Sequence, residues 1–348
     1  MSFIKPAFRH VKQPVNALGY TLDYYEGALS TLCAGCGHDS VSSAIVQACF
    51  ELNVEPHKVA KLSGIGCSSK TPTYFLRNSH GFNSVHGRMP SVATGAYLAN
   101  RDLTYIGISG DGDTASIGMG QFVHAVRRNL NMAYIVMNNG CYGLTKGQDS
   151  ATADPGSVSK AGAPNPFDAI DLVALAIELG AGFAARSFSG DKEHLVPILK
   201  AALSYPGFAF VDVISPCVTF NNNPGSTKSY GYTREHLEQL SVVDYIPEKE
   251  AIEIAYDGQT SVALHDGSLI YLEKLNPDWN PSRPEDALRK LHEARHAGRV
   301  LTGVAYLAPP RPNLHQMLKT ASQPLNQMTQ AELQPSAADL EDINAGLR

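Results

Sequence analysis

Short apolar runs alternate with longer amphipathic stretches over most of this chain. The short runs have the length of strands, and they predict strands at Val59–Leu62, Leu103–Ser109, Met132–Met137, Ala181–Ser187 and Phe208–Ile214. The longer stretches predict helices at 39–52, 90–99, 116–129, Phe167–Leu179 and Lys192–Leu203. This alternation is typical of an α/β fold, in which a mostly parallel sheet is covered by helices on both faces.

The same pattern divides the chain into four segments. Residues 1–30 predict an irregular N-terminal arm, and residues 31–230 contain the alternating strands and helices. Beyond them the pattern weakens, so residues 231–308 are expected to form an irregular C-terminal extension with one helix near 285–297. Residues 309–348 are expected to form a polar tail.

Four predicted strands are followed by residues that can bind metals or phosphates. These residues are Cys67, the turn Gly110-Asp111-Gly112, the pair Asn138-Asn139 and Cys217. The carboxyl ends of parallel strands meet at one edge of a sheet, where α/β proteins bind their ligands. We therefore expect these four groups to lie close together.

The Gly-Asp-Gly turn predicts a diphosphate–metal site. Flanking glycines let the backbone approach a ligand closely, and the Asp111 carboxylate suits a hard cation such as Mg²⁺. The intervening residues 113–137 fit one helix and one strand, which would return Asn139 beside Asp111. Asn139 can then offer its side-chain oxygen and Cys141 its carbonyl. The spacing resembles the thiamine diphosphate-binding motif, and the alternative is a chance Gly-Asp-Gly turn.

A second glycine motif is not expected to bind a cofactor. Residues 180–185 fit the pattern GxGxxA of dinucleotide-binding proteins. They follow a predicted helix and open a predicted strand, which is the reverse of the order that dinucleotide binding requires. Gly180 is better explained as the glycine that ends a helix.

Six cysteines raise the question of a second metal site. Cys49 lies in an apolar run and is expected to be packed in the core. Cys33, Cys36, Cys67 and Cys217 lie in turn-like sequence, and four thiolates suit either tetrahedral zinc or a [4Fe–4S] cluster. We favour the cluster, because zinc sites usually contain two CxxC pairs and this chain has one.

Composition and charge narrow the function further. The chain has 43% apolar and 18% charged residues and a net charge of −5, so nothing indicates binding to nucleic acid or to an anionic membrane surface. No run is long enough to span a bilayer, and the N-terminus lacks the apolar core of a signal peptide. A cytoplasmic location is expected.

Taken in order, these motifs resemble those of the β subunits of 2-oxoacid:ferredoxin oxidoreductases, of the 2-oxoglutarate type. The resemblance covers roughly residues 30–220, with a weaker match through 306. The motifs that carry it are Leu32-Cys33-Ala34-Gly35-Cys36-Gly37-His38, Gly64-Ile65-Gly66-Cys67-Ser68, His86-Gly87-Arg88, Gly110-Asp111-Gly112-Asp113, Asn138-Asn139, residues 142–148 (YGLTKGQ) and Ser215-Pro216-Cys217.

The resemblance implies a thiamine diphosphate-binding fold with two metal centres. A [4Fe–4S] cluster would be bound by Cys33, Cys36, Cys67 and Cys217, and Mg²⁺ by Asp111, Asn139 and the Cys141 carbonyl. Thiamine diphosphate would be lined by Ile65, Gly66, Cys67, Ser68, His86, Gly112, Asp113, Gly143 and Leu144. The family also implies a separate α subunit in a heterodimer or a dimer of heterodimers, coenzyme A as acyl acceptor and ferredoxin as electron acceptor.

Three cationic side chains are candidates for direct roles in the reaction. His86 and Arg88 can donate hydrogen bonds to phosphate or carboxylate groups. Lys146 is expected to select 2-oxoglutarate by pairing with its distal carboxylate, although Arg77 and Arg88 compete for that role, and a solvated lysine is the common alternative. For His38, helix capping and an active-site role are equally compatible with the sequence.

The substrate and the reaction type remain open on the sequence alone. Pyruvate or a broad range of 2-oxoacids is an alternative to 2-oxoglutarate, and a non-oxidative thiamine diphosphate decarboxylase or carboligase is an alternative enzyme. Activation of thiamine requires a carboxylate next to the aminopyrimidine, and no glutamate here lies in an obvious motif for it. We expect the partner subunit to supply that group.

Overall fold

A sheet of eight strands forms the centre of the molecule. The computed structural model describes residues 13–158, 164–246, 259–263, 269–274 and 279–347. Within them, the sheet consists of β1 (Val59–Ser63), β2 (His80–Asn83), β3 (Thr104–Gly110), β4 (Met132–Asn138), β7 (Phe183–Phe188), β8 (Phe208–Ile214), β9 (Leu237–Gln239) and β13 (Val300–Leu307). Their order is β2-β1-β3-β4-β8-β7-β13-β9, and only the pair of β13 with β7 is antiparallel. The expected mostly parallel α/β sheet is confirmed.

Helices cover both faces of this sheet. They are α1 (Gly37–Glu51), α2 (Met89–Ala99), α3 (Met119–Arg127), α4 (Leu172–Glu178), α5 (Lys192–Ser204), α6 (Tyr230–His236) and α7 (Pro284–His296). Successive strand residues point to opposite faces, so Ile135 packs with the core under α1 and α5, whereas Tyr134 and Val136 pack with the core under α2, α3, α4 and α7. Burial on both faces explains why the strands read as continuous apolar runs.

The predicted strands are confirmed to within two residues, but two helices differ from the prediction. The helix expected at Phe167–Leu179 begins only at Leu172, because the Asp171 side chain accepts hydrogen bonds from the amides of Val173 and Ala174 and caps it. The helix expected at 116–129 is interrupted: a π-helical turn spans Asp113–Ile117, and α3 begins after Gly118.

The start of α1 also departs from the prediction. The helix expected at 39–52 begins at Gly37, two residues earlier, and its N-cap residue Cys36 makes no side-chain cap. The helix therefore begins directly at the CxxC turn, whose Cys36 amide donates to the Cys33 carbonyl at 3.0 Å.

Much of the segment expected to be irregular is regular. Strand β13 joins the central sheet, and α7 packs on the same face as α4. A separate antiparallel sheet contains β10 (Ser241–Ile246), β11 (Gln259–Ala263) and β12 (Leu269–Lys274). The period-two pattern of these strands is too short to have been recognised beside the charged residues around them. The remaining strands, β5 (Cys141–Tyr142) and β6 (Gln148–Asp149), form a hairpin.

The two terminal segments differ in how they pack. In the described part of the arm, Tyr25 is fully buried and its hydroxyl accepts a hydrogen bond from Asn16. In the tail, Leu314 and His315 are buried against the domain. The tail also contains α8 (Leu314–Leu318), α9 (Gln330–Leu333) and α10 (Ala337–Gly346), and α9 and α10 are exposed. Among the described helices, none combines the length and the apolar character needed to cross a membrane.

Candidate functional site

The carboxyl ends of β3 and β4 lie side by side, with Gly110 in register with Met137. A small cavity of about 20 Å³ opens at this edge of the sheet. The residues that line it are His38, Ile65, Gly66, Cys67, Ser68, Gly110, Asp111, Gly112, Asp113, Met137, Asn139, Cys141, Tyr142 and Gly143. The loops after β1, β3 and β4 thus meet where the sequence predicted a common site.

Asp111 is buried and held by three hydrogen-bond donors. Its Oδ2 accepts from the hydroxyls of Ser150 and Thr152, the latter at 2.6 Å, and its Oδ1 accepts from the Asn139 amide at 3.3 Å. Burial raises the pKa of Asp111, while these donors act in the opposite direction. A buried carboxylate next to the Asn139 side chain and the Cys141 backbone is a donor set of oxygen atoms, which is what Mg²⁺ prefers.

Asp113 connects three loops at the site. Its Oδ2 accepts from the Ser109 hydroxyl at 2.9 Å and from the Ile65 amide at 3.3 Å, and its Oδ1 accepts from the Gly87 amide at 2.8 Å. The Asp113 carboxylate lies so close to Gly64 that a Cβ atom there would be 1.8 Å from Oδ2. A glycine is therefore required at position 64 for the three loops to meet.

Tyr142 closes the cavity from the side of the β5–β6 hairpin. Its hydroxyl donates to the Gly112 carbonyl at 2.8 Å, and a Cβ atom at Gly112 would lie 2.4 Å from its ring. The second glycine of the Gly-Asp-Gly turn is needed here for this close approach.

Two of the four candidate cluster thiols lie at the turn of the same hairpin. The sulfur atoms of Cys67 and Cys217 both lie 3.5 Å from the position that a Cβ atom at Gly143 would occupy. Cys36 is buried at the N-terminus of α1, and Cys33 is exposed and accepts a hydrogen bond from the Thr219 hydroxyl at 3.6 Å. In the described ranges, no three His, Cys, Asp or Glu side chains are arranged to hold a single metal ion.

The environment of these thiols differs from one to the next. A hydrogen bond from the Cys141 thiol, helped by the backbone amides of residues 219–221, lowers the pKa of Cys217 to about 6. Burial raises the pKa of Cys36 to about 12, and both Cys67 and Cys217 add to that effect through their negative charge. Burial also raises the pKa of Cys67, with Cys217 contributing again. Cys36, Cys67 and Cys217 are therefore near enough to interact electrostatically.

Four of the residues predicted to act in catalysis or cofactor binding do not line the cavity. His86 and Arg88 are exposed on the loop between β2 and α2, which Gly87 anchors to Asp113. Leu144 and Lys146 are exposed at the tip of the β5–β6 hairpin, and Lys146 adopts a left-handed backbone conformation with φ of 80°. All four lie on loops that border the cavity without pointing into it. Sequence spacing cannot show the direction of such loops.

His38 is buried at the site, and the structure gives it a definite partner. Its Nδ1 lies 2.6 Å from the Ser215 hydroxyl, and burial lowers its pKa to about 4. It does not cap α1, since that helix has no side-chain cap. His38 therefore contributes a neutral imidazole to the cavity wall.

A buried polar network behind Asp111 was missed by sequence reasoning. Thr152 lies 3.0 Å from the Asn138 amide oxygen, and the Asn138 amide nitrogen donates to Asp212 at 3.1 Å. Asp212 in turn accepts from Arg186 at 3.0 Å, and Arg186 also pairs with Asp171 at 2.6 Å. The only sequence signal was polar residues inside apolar strands, namely Arg186 in β7 and Asp212 in β8.

Size limits what the cavity of this chain can hold. A volume of about 20 Å³ admits about one water molecule. Thiamine diphosphate is far larger, so it would have to lie across the mouth of the cavity with its other side uncovered by this site. None of the residues that line the cavity is a glutamate.

Comparisons with known proteins agree with this geometry. The family model of the C-terminal TPP-binding domain of thiamine pyrophosphate enzymes matches residues 64–213. This range runs from the loop after β1 to the end of β8 and includes the Asp111, Asn139 and Tyr142 positions. The chain therefore contains a thiamine diphosphate-binding domain.

Relatives and a solved structure identify the branch of these enzymes. The chain is 44% identical over 191 residues to a 2-oxoacid:ferredoxin oxidoreductase subunit beta from a Sulfolobus species, covering 55% of this chain and 63% of that protein. It is 37% identical over 215 residues to the 2-oxoglutarate synthase subunit KorB of Methanothermobacter marburgensis, covering 60% of this chain and 73% of that protein. The chain spans about three-fifths of the length of the archaeal 2-oxoacid:ferredoxin oxidoreductase β subunits that it matches.

The structural likeness extends over nearly the whole chain. A 2-oxoglutarate:ferredoxin oxidoreductase from Magnetococcus marinus, solved with 2-oxoglutarate, coenzyme A and succinyl-CoA bound, superposes with a TM-score of 0.72 at 28% identity. The match covers 97% of this chain and 98% of that one, so the C-terminal strands and helices belong to the shared fold. The chain belongs to the family of 2-oxoacid:ferredoxin oxidoreductase β subunits.

Proposed function

We propose that this chain is the thiamine diphosphate- and cluster-binding β subunit of a 2-oxoacid:ferredoxin oxidoreductase. The enzyme would decarboxylate a 2-oxoacid, 2-oxoglutarate in our proposal, transfer the acyl group to coenzyme A and pass two electrons to ferredoxin. The observation that supports this most is the short distance between two sites. Gly143 borders the cavity that contains Asp111, and the sulfur atoms of Cys67 and Cys217 lie next to the same glycine.

The residues around Asp111 fit a magnesium–diphosphate group. Asp111, Asn139 and the Cys141 carbonyl would bind Mg²⁺, and the charge of the ion would neutralise the diphosphate. The residues Ile65, Gly66, Cys67, Ser68, Gly112, Asp113 and Gly143 would line the cofactor, because they form the walls of the cavity. His86 and Leu144 border it from exposed loops, and they would reach it only when the partner closes over the site.

The four thiols fit an iron–sulfur cluster better than a zinc ion. The chain has a single CxxC pair, and Cys67 and Cys217 follow strands at the edge of the sheet where Asp111 lies, a place where a structural zinc ion would have no evident role. Cys67 and Cys217 lie beside Gly143, and Cys36 and Cys33 interact electrostatically with them, so the four thiols would bind the cluster together. The backbone amides of residues 219–221 donate to the Cys217 sulfur, and hydrogen bonds of this kind tune the reduction potential of a cluster.

Bound thiamine diphosphate supplies the carbanion stabilisation that decarboxylation of a 2-oxoacid requires. The residues of this chain would orient the cofactor, exclude water from it and hold the cluster that takes up its electrons. Asp111 and Asp113 fix the loops that hold the diphosphate, and Tyr142 excludes water from the side of the hairpin. Cys67 lines the cavity proposed for the cofactor and is also one of the four proposed cluster ligands. Electrons would therefore travel a short path from the cofactor to the cluster.

A partner subunit is part of the proposal. The cavity is too small to enclose thiamine diphosphate and lacks a glutamate that could activate the aminopyrimidine. We expect an α subunit to cover the exposed half of the cofactor and to supply that carboxylate.

Substrate-dependent reduction of a dye tests this function. The chain should be co-purified with its α subunit, and reduction of a viologen dye measured with coenzyme A and each 2-oxoacid. We expect iron and acid-labile sulfide in the complex and faster reduction with 2-oxoglutarate than with pyruvate. Release of CO₂ without dye reduction would favour a non-oxidative decarboxylase or carboligase and contradict the proposal.

A further inference from the structure

A second pocket, separate from the strand-end cavity, lies at the β2 edge of the central sheet. Its volume is about 550 Å³, which is within the range of small-molecule binding sites. Strands β1 and β2 form its floor, and the 3₁₀ helix Ser68–Tyr74 forms one wall. No aspartate or glutamate is among the residues that line it.

The pocket contains a buried ammonium group without a counter-ion. Lys61 of β1 is only 7% exposed, and its Nζ donates to the carbonyls of Phe75 at 2.5 Å and Leu76 at 2.9 Å. Both acceptors are neutral, and no carboxylate among the described residues pairs with Lys61. Burial lowers its pKa to about 8, so the group is still mostly charged at neutral pH. A buried charge that lacks an ionic partner is costly, and an anionic ligand would relieve that cost.

The other polar side chains of the pocket also have free hydrogen-bonding capacity. Arg77 is exposed at the rim, and its guanidinium makes no ion pair or hydrogen bond with any described residue. The same is true of the side chains of Ser63, Thr73 and Asn83, which line the pocket as well. Five polar side chains, two of them cationic, therefore face one cavity with donors to spare.

We propose that this pocket binds a phosphate-bearing ligand. A phosphate group offers several acceptor oxygens, which match two cations and three neutral donors, and an arginine can bind it through two hydrogen bonds. The pocket is larger than a phosphate group alone, so the phosphate is one part of a larger molecule. Coenzyme A is one source, and this assignment rests on the proposed function. A different phosphorylated metabolite is the other source.

The pocket adjoins the strand-end cavity. Ser68 lines the strand-end cavity, while the next residue, Ser69, lines this pocket. The two sites share the start of the 3₁₀ helix as a common wall. A molecule anchored at Lys61 and Arg77 would lie against the wall that this pocket shares with the cavity of Cys67 and Asp111.

Binding to the assembled enzyme tests the proposal. The complex with its α subunit, saturated with thiamine diphosphate and Mg²⁺, would be titrated with inorganic phosphate and with coenzyme A by isothermal calorimetry. We expect Arg77→Gln to weaken the binding of at least one of them about tenfold or more, as loss of a charge-assisted contact does. Lys58→Gln, which changes an exposed lysine outside the pocket, should bind both like the wild type.

A second variant tests the role of the buried Lys61 ammonium. Lys61→Met keeps the length of the side chain and removes its charge, and its fold would be checked by circular dichroism. If it is folded, it should lose phosphate or coenzyme A binding at least as strongly as Arg77→Gln. Unchanged binding of both probes in Arg77→Gln, or displacement of the probes by succinate at equal concentration, would overturn the proposal.

The outcomes also separate the source of the phosphate from the proposed reaction. A raised KM for coenzyme A in Arg77→Gln identifies coenzyme A as the ligand. Lost phosphate binding with an unchanged KM for coenzyme A supports the site and identifies a different phosphorylated ligand. If the complex reduces no dye at all but still loses phosphate binding in Arg77→Gln, the proposed function fails and the phosphate site stands.

Discussion

At the scale of single residues, the hydroxyl of Thr152 links the proposed metal ligand Asp111 to the buried network behind it. Thr152 donates to Asp111 at 2.6 Å and lies 3.0 Å from Asn138, whose neighbour Asn139 is the second proposed ligand. Hydrogen bonds to ligating carboxylates fix their orientation, and their loss commonly weakens metal binding. Thr152 is therefore a positioning residue for the proposed magnesium site.

Replacing this hydroxyl should weaken cofactor binding more than turnover. In Thr152→Val, we expect the Mg²⁺ concentration that half-saturates thiamine diphosphate binding to rise about tenfold, since a hydrogen bond to a charged group contributes about 1.5–3 kcal/mol. Equilibrium dialysis of the cofactor would measure this, and Thr152→Ser should restore it. Thr233→Val removes another buried hydroxyl, which donates to the Thr227 carbonyl, and should change nothing. An equal effect in both valine variants would contradict the role.

Lys146 provides a prediction about substrate choice. It lies exposed at the hairpin tip, next to the loops that border the cavity, so its ammonium is free to meet a distal carboxylate. Lys146→Ala should lower kcat/KM for 2-oxoglutarate about tenfold or more and leave pyruvate within about threefold, because only the first substrate carries the second carboxylate. Lys58→Ala serves as the control. Equal losses with both substrates would remove Lys146 from the proposal.

Site residues could be predicted where they directly follow adjacent parallel strands. Asp111 and Asn139 follow two adjacent parallel strands, and that is enough to bring them together. Ser150 and Thr152 lie 39 and 41 residues beyond Asp111 in an irregular loop, and nothing in their sequence shows that the loop folds back over the carboxylate. The sequence also could not show that His86, Arg88 and Lys146 are exposed and do not line the cavity, since each lies on a loop.

At the scale of elements, α4 and β7 are joined by a partly buried ion pair that also caps the helix. Asp171 accepts from two backbone amides of α4 and pairs with Arg186 of β7. Burial acts to raise the pKa of Asp171, but the Arg186 guanidinium and the amides outweigh it and the pKa is lowered. One carboxylate therefore performs two stabilising functions.

Two matched variants separate these functions. Asp191 caps α5 through the His194 amide and has no ion pair among the described residues, so Asp191→Ala should cost about 1 kcal/mol of unfolding free energy. Asp171→Ala also removes one of the two carboxylates that pair with the partly buried Arg186 and should cost about 1.5–3 kcal/mol more than loss of a cap alone. Urea denaturation would measure both. Equal losses would show that the ion pair contributes nothing beyond the cap.

The pH dependence of stability gives a further check on Lys61. Its pKa is lowered by burial from 10.5 to about 8, so between these values the unfolded chain binds more protons than the folded chain. Stability contributed by this group therefore rises with pH across that window. The stability of the wild type relative to Lys61→Met should increase from pH 8 to pH 10.5, measured by urea denaturation at each pH. A flat difference would mean that the Lys61 ammonium is not destabilised by burial.

The strands of the central sheet were predictable because burial on both faces makes them continuous apolar runs. The start of α4 could not be predicted, because the helical spacing of apolar residues continues back to Phe167. In the structure, Phe167 is exposed and lies outside the helix. Asp171 decides the boundary through its own hydrogen bonds. In the same way, no apolar periodicity reports the π-helical turn at Asp113–Ile117 that interrupts the expected helix.

At the scale of the whole molecule, the C-terminal part completes the α/β domain. Strand β13 extends the sheet between β7 and the edge strand β9, and α7 covers the same core as α4. This antiparallel addition comes from far along the chain, past a charged and proline-rich stretch. The apolar pattern of a short segment cannot show that it pairs with a strand more than 100 residues earlier. Residues 231–308 were therefore expected to be irregular.

The chain by itself is incomplete as an enzyme in our account. The cavity beside Asp111 has no glutamate and no room to enclose thiamine diphosphate. The isolated chain should therefore show no decarboxylation of 2-oxoglutarate, whereas its complex with the α subunit should. Release of ¹⁴CO₂ from labelled substrate would measure both, and turnover by the isolated chain would contradict the need for a partner.

The central claim is that a thiolate-bound iron–sulfur cluster and a magnesium-bound thiamine diphosphate lie side by side in this chain. Electron paramagnetic resonance of the complex, recorded before and after adding 2-oxoglutarate and coenzyme A without any other reductant, tests it most directly. The account predicts about four irons per β chain and the appearance of a reduced [4Fe–4S] signal that requires substrate. Zinc in place of iron, or a cluster that substrate never reduces, would contradict it.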